Sequence, residues 1–169
     1  MTLDRIEMKR ECGDCTACCQ GHLNANIHGI QMFKGRPCHF LGECEGGGCT
    51  IYDQRPTLCQ EYQCLWKITP TLPEWMKPNK SDVIMAFGED DIDGELVGYI
   101  TMRECNNPVR SDILNYVLRL TMEHNMNIEY ECNGSWFHLG DEKWIKHHVE
   151  KNGGEIVSNV PVAELAQTS

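Results

Sequence analysis

Apolar and polar positions alternate through the second half of this chain with a regularity that the first half lacks. Val83–Phe87 and Leu96–Met102 are runs of strand-forming residues, and the acidic stretch Gly88–Gly94 between them reads as a turn. Ser111 stands ahead of Ile113, Leu114, Val117, Leu118 and Met122, a broad apolar stripe at helical spacing. A helix capped by Ser111 is therefore expected to run to about Asn125. Asn133-Gly134 then separates two alternating segments, the strongest short-range hairpin signal in the chain. A two-residue turn there pairs Cys132 with Ser135, Tyr130 with Phe137 and Ile128 with Leu139 on one face, leaving Glu129, Glu131, Trp136 and His138 on the other. Asp141 is placed to cap a last helix that carries Trp144, Ile145, His148 and Val149 and stops at Gly153-Gly154. The expected order is β-β-α-β-β-α over residues 83–158, followed by a tail at 159–169.

The first half has no such grammar. Between Cys12 and Cys64 only 11 of 53 residues are large and apolar. That is too little to order the segment by burial alone, so a bound metal is expected to make up the difference. Glu45–Gly48 reads as a flexible turn. Pro70, Pro73 and Pro78 predict an extended connector over residues 67–82. The whole is expected to be α+β: an irregular, metal-organised cysteine-rich lobe at residues 1–66, packed on the small C-terminal lobe.

Charge and composition narrow the partners. The net charge is −10, of which residues 1–83 contribute −1 and residues 84–169 contribute −9. A chain that neutralised phosphates would present a basic surface, so nucleic acid is excluded and a protein partner is favoured. No run approaches the roughly 20 apolar residues of a membrane span. The charged N-terminal residues lack a signal-peptide core, which points to a reducing, cytoplasmic setting. Oligomeric state is not legible.

That setting governs the 11 cysteines, nine of which fall between Cys12 and Cys64. In a reducing compartment such density reads as metal binding or catalysis rather than as a disulfide framework. Cys12, Cys15 and Cys18 repeat at two-residue spacing, so that intervening backbone N–H groups can face the sulfurs and favour thiolates. Cys18 and Cys19 are adjacent, and their side chains are expected to diverge, which hints at two centres or at one centre plus a free or bridging thiol. Cys38, Cys49, Cys59 and Cys64 complete the supply. A zinc ion takes four such ligands, and a four-iron cluster takes three closely spaced thiolates with a distant fourth.

The combination Cys-x2-Cys-x2-Cys-Cys at 12–19, Pro-Cys-x-Phe-Leu at 37–41 and Cys-x-Ile-Tyr-x2-Arg-Pro-x2-Cys at 49–59 resembles the YkgJ-type cysteine-cluster family. The likeness covers roughly Cys12 to Cys64. It implies zinc or iron chelation, with Cys12, Cys15, Cys18, Cys19, Cys38, Cys49, Cys59 and Cys64 as the metal-site residues. An iron–sulfur cluster, [4Fe-4S] before zinc, is the cofactor it favours, and a redox or accessory role the function. The alternative is a zinc-stabilised protein-interaction module without catalysis. Cys44, Cys105 and Cys132 lie outside the pattern, and Cys132 is expected to pack as a small hydrophobe.

The remaining candidates carry less. His22 and His39 are expected around the thiolates rather than among the ligands. Arg55 either offsets thiolate charge or serves as a turn residue before Pro56. His147 and His148 are expected at a solvent boundary, and the acidic run Glu89–Glu95 is read as a solvated turn rather than a calcium loop. No convergent His/Glu pair, nucleotide-binding glycine loop or nucleophile elbow is legible, so an open-metal hydrolytic enzyme ranks last among the function classes.

Overall fold

The computed structural model describes residues 10–42 and 48–152. The expected Glu45–Gly48 turn falls largely, and Cys44, the Gly153-Gly154 stop and the 159–169 tail wholly, outside them. The chain is α+β and divides into two units, Met1–Lys80 and Ser81–Ser169.

In the first unit, β1 (Ala25–Ile27) and β2 (Ile30–Met32) form a hairpin across His28-Gly29, both at positive φ, with Ile27 opposite Ile30. The Asn26 side chain accepts the Gly29 N–H at 2.8 Å and fixes the turn. A second two-stranded ladder pairs β3 (Leu41–Gly42) with β4 (Gly48–Cys49). Short helices follow: α1 (Thr57–Glu61), α2 (Leu65–Ile68) and α3 (Pro78–Ser81). Between Cys12 and Cys64 the buried apolar residues among those described are Ala17, Ile27 and Met32.

The proline-rich stretch is not extended. Pro73 caps a short 3-10 turn at Glu74–Met76, and Pro78 is the first residue of α3. Proline suits both positions, because a helix start has no use for its missing N–H. Trp66, Leu72 and Met76 are buried. The Arg10 guanidinium binds this stretch to the cysteine motif by donating to the carbonyls of Trp66, Pro70 and Leu72, at 3.0, 2.8 and 2.6 Å. It also stacks on the Trp66 ring. Lys77, itself buried, donates to Asp14 at 2.9 Å.

The second unit is a four-stranded sheet in the order β5 (Val83–Ile92), β6 (Glu95–Glu104), β7 (Asn127–Cys132), β8 (Ser135–Leu139). Helix α4 (Ser111–Glu123) connects β6 to β7, which run parallel, and α5 (Glu142–Lys151) follows β8. The expected element order is present, and the β7–β8 register is the one the Asn133-Gly134 turn dictates. Asn133 and Gly134 both adopt positive φ, as a type I′ turn requires.

Two local expectations need correction. The acidic run is strand, not turn: β5 continues to Ile92, and the turn is Asp93-Gly94 alone, with Ile92 opposite Glu95. Asp-Gly is itself a type I′ pair, so the ten-residue strands close as tightly as the second hairpin does. Ser111 is the first helical residue of α4 rather than its cap, which is Arg110.

Helix α5 starts as expected, with the Asp141 side chain accepting the Trp144 N–H at 3.1 Å. Its apolar side, Trp144, Ile145 and Val149, packs with Ile92, Val97 and Tyr99. His148 is not at a solvent boundary, being only 2% exposed. Its Nδ1 lies 2.6 Å from Asp90 Oδ2, and its Nε2 lies 2.8 Å from Glu129 Oε2. Asp90 is fully buried and also accepts from Trp144 Nε1 at 3.0 Å and from Lys151 Nζ at 2.8 Å. Burial works to raise the Glu129 carboxyl, but hydrogen bonds from His138, His148 and Thr101 overcome it and hold the group well below the usual carboxylate range.

On the opposite face of the sheet, Tyr130 stacks on Phe137 at 5.5 Å between ring centroids. The buried Glu104 carboxylate accepts three backbone N–H groups, from Val109 at 2.7 Å, Asn133 at 2.8 Å and Gly134 at 3.0 Å.

Candidate metal centre

The motif Cys12–Cys19 enters as a tight turn and closes as a 3-10 helix. The Cys15 N–H donates to the Cys12 carbonyl at 2.9 Å, and Ala17–Cys19 form one helical turn whose Ala17 is buried. Burial raises the Cys15 thiol above its ordinary range, while backbone N–H groups of Ala17 and Asn79 act in the opposite sense. Ala17 supplies the kind of N–H to sulfur contact that two-residue spacing allows, whereas Asn79 comes from α3.

Other segments bring the distant cysteines in. The Cys38 N–H donates to the Cys19 carbonyl at 2.8 Å, which ties the 37–41 segment to the motif. Cys49 ends β4, opposite Leu41. Cys59 lies in α1, and Cys64 caps α2. All eight of these cysteines are partly buried, and none of the ten described cysteines forms a disulfide.

The sulfurs act on one another. Cys64 is raised by burial, and the sulfurs of Cys12, Cys15 and Cys18 push it the same way. Cys15 in turn feels Cys18 and Cys12. Cys59 is raised by burial, with Cys38 and Cys49 the leading sulfurs beside it and Cys18 a lesser one. Cys19 is lowered by the thiol of Cys18, against burial and against Cys38, Cys49 and Cys59. The sulfurs are therefore neighbours, with Cys12, Cys15 and Cys18 beside Cys64, Cys38 and Cys49 beside both Cys19 and Cys59, and Cys18 beside all three of Cys64, Cys19 and Cys59.

Cys18 and Cys19 are adjacent in the chain and in space. Their sulfurs lie 3.9 Å apart, close enough for the Cys18 thiol to donate to Cys19. The divergence expected of adjacent side chains is therefore small at the sulfurs, because the 3-10 turn carries both to one side.

Cationic groups surround the sulfurs. Lys77 has its positive charge near Cys15, Lys67 near Cys18 and Arg55 near Cys59. Arg55 takes the turn role foreseen for it, donating to the Tyr52 carbonyl at 2.9 Å and lying 3.8 Å over the Tyr52 ring. His39 is exposed and stacks edgewise on Phe40. Cys105 is buried and Cys132 partly so, both in the second unit.

Sequence reasoning missed a second group. Glu129, His138 and His148 bring one ligand atom each to within 4.8 Å of one another, so a convergent His/Glu set exists after all. Glu129 and His138 are cross-strand partners, which the hairpin register alone implied. The signal overlooked was that His148 shares the apolar side of α5 and must meet that same face of the sheet. No family model, curated protein or solved structure matches the chain.

Proposed function

We propose that this is a YkgJ-type cysteine-cluster protein of the cytoplasm, whose eight N-terminal thiolates carry iron–sulfur, [4Fe-4S] before zinc, in a redox or accessory role toward a protein partner. One observation carries the reading: eight partly buried cysteines from the 12–19 motif, the 37–41 segment, β4, α1 and the start of α2 are neighbours, none is in a disulfide, and the Cys18 and Cys19 sulfurs lie 3.9 Å apart.

The donor set fits the group. Thiolates alone, four to a centre, suit either a cubane or a tetrahedral zinc ion. A single zinc ion with bonds of about 2.3 Å would draw four sulfurs to about 3.8 Å from one another. Cys12, Cys15, Cys18, Cys19, Cys38, Cys49, Cys59 and Cys64 would hold the iron–sulfur group. Once bound, a cluster supplies one-electron transfer.

The chain's own groups offset the negative charge of such a site. The Ala17 and Asn79 N–H groups face the Cys15 sulfur, and Lys67, Lys77 and Arg55 add positive charge near Cys18, Cys15 and Cys59. Such outer contacts set the potential of a thiolate-bound centre.

The test is anaerobic purification followed by elemental analysis and a visible spectrum. Iron with acid-labile sulfide is the expected result, with zinc replacing it after aerobic isolation. A colourless anaerobic preparation that holds zinc and no sulfide would overturn the cluster and leave the zinc-stabilised interaction module in its place.

A further inference from the structure

We propose a second, independent metal site in the C-terminal unit, in which His138 Nε2, His148 Nε2 and Glu129 Oε2 bind a first-row divalent ion, with zinc as the reference, leaving coordination open toward solvent. The three atoms already converge from three elements. Glu129 Oε2 lies 2.8 Å from His148 Nε2 and 3.8 Å from His138 Nε2. Bonds of about 2.0–2.2 Å in tetrahedral geometry place donors about 3.4 Å apart, so shifts of well under an ångström per side chain would admit the ion.

The surroundings hold each ligand in a binding pose. Asp90 Oδ2 sits 2.6 Å from His148 Nδ1, on the far side of the ring from Glu129. A carboxylate behind a histidine in this way fixes the tautomer that presents Nε2 as the donor to a metal. Asp90 is itself fully buried, is held by Trp144 Nε1 and Lys151 Nζ, and takes no part in the cavity wall. It therefore orients rather than ligates. Thr101 Oγ1 donates to Glu129 Oε1 at 2.9 Å, which engages one carboxylate oxygen and leaves Oε2 turned to the histidines.

The contacts at His148 Nε2 call for a cation. With the Nδ1 proton given to Asp90, a neutral ring would aim its Nε2 lone pair at a carboxylate oxygen 2.8 Å away. Either a second proton or a metal ion must occupy that line. Asn152 Nδ2, which donates to the His148 carbonyl at 2.8 Å, also lies 3.1 Å from Nε2 and would turn aside when that nitrogen takes a metal ion.

Glu129, His138 and His148 share the wall of a cavity of about 690 Å³, with Tyr99, Arg103 and Trp136 among its other walls. Two histidines and one carboxylate beside such a space is the donor set of metals that keep positions free for water or substrate. This set shares no residue with the eight cysteines, so it stands or falls apart from the reading above.

The test uses the full chain with its thiolate centres already loaded, titrated with Zn²⁺ by calorimetry and with ¹¹³Cd²⁺ by NMR. Cadmium bound to nitrogen and oxygen resonates far from cadmium bound to thiolates, so the two regions report separately. One added equivalent is expected, with a nitrogen/oxygen-type signal. His138→Ala, at a strand position that leaves the buried Asp90–His148 pair intact, should weaken that equivalent at least about tenfold and remove the signal. Glu129→Gln should do the same. Absence of a nitrogen/oxygen-type signal in the wild-type chain, or its persistence undiminished in both variants, overturns the site.

Discussion

Replacing Glu104 with glutamine isolates what one buried carboxylate contributes to the sheet. Glu104 is 7% exposed and closes β6. Its two oxygens accept the N–H groups of Val109, Asn133 and Gly134, joining the loop before α4 to the β7–β8 turn. Glutamine keeps the volume but offers one acceptor oxygen. If that oxygen retains Val109 and Asn133, the amide NH₂ faces the Gly134 N–H, and a charge-assisted bond of about 1.5–3 kcal/mol is lost. The two retained bonds lose charge assistance, at roughly half their strength each. Water can reach Gly134, which is exposed, and recovers part of that bond. The net loss should be about 2–3 kcal/mol, or roughly 10–20 °C in Tm for a unit of this size. Thermal melting followed by circular dichroism, with hydrogen exchange at residues 127–139, measures it. A Tm within about 3 °C of the parent, with unchanged protection at Asn133 and Gly134, would refute the role given to this carboxylate.

Other outcomes follow from the same contacts. A strong chelator, or Cys15→Ser, should expose residues 12–64 to proteolysis while the second unit stays resistant, because so few apolar residues are buried in that stretch; full native protection in the apo form would show the metal to be an accessory. Tyr130→Ala removes a buried ring stacked on Phe137 and should cost about 3 kcal/mol by denaturant unfolding. Cys132→Ala should cost much less and leave bound metal unchanged, and a drop in metal would contradict its assignment as a packing residue.

What the sequence disclosed, and what it withheld, follows from the range of the forces involved. The β7–β8 hairpin was legible because Asn133-Gly134 sets turn and register within a dozen residues. Asp93-Gly94 carries the same chemistry but was submerged in a run of carboxylates, where charge suggested solvent and hid ten-residue strands. The prolines at 70–78 were read for what they forbid, when Pro73 and Pro78 sit where helices begin. His148 was misplaced because a polar residue on an apolar stripe is buried only if a partner awaits it. That partner, Asp90, lies 58 residues away on another element. The eight cysteines were picked out by spacing alone, yet which of them become neighbours depends on how α1, α2 and the β3–β4 ladder return to the motif, which no local pattern encodes.

The long first hairpin also bears on how the chain behaves when concentrated. β5 lies at the sheet edge, and β7 pairs with β6 only from Tyr99 onward, so the tip of the β5–β6 hairpin offers main-chain hydrogen-bonding groups on both sides. Phe87 and Leu96 are exposed there, an invitation to strand addition from a second molecule. The carboxylates of Glu89, Asp91, Asp93 and Glu95 occupy the same tip. Two such tips brought edge to edge would set four negative charges against four, at strand spacings of under 5 Å. The acidic run thus acts as a guard against self-assembly, one that weakens in acid or high salt, where this tip becomes the place at which aggregation begins.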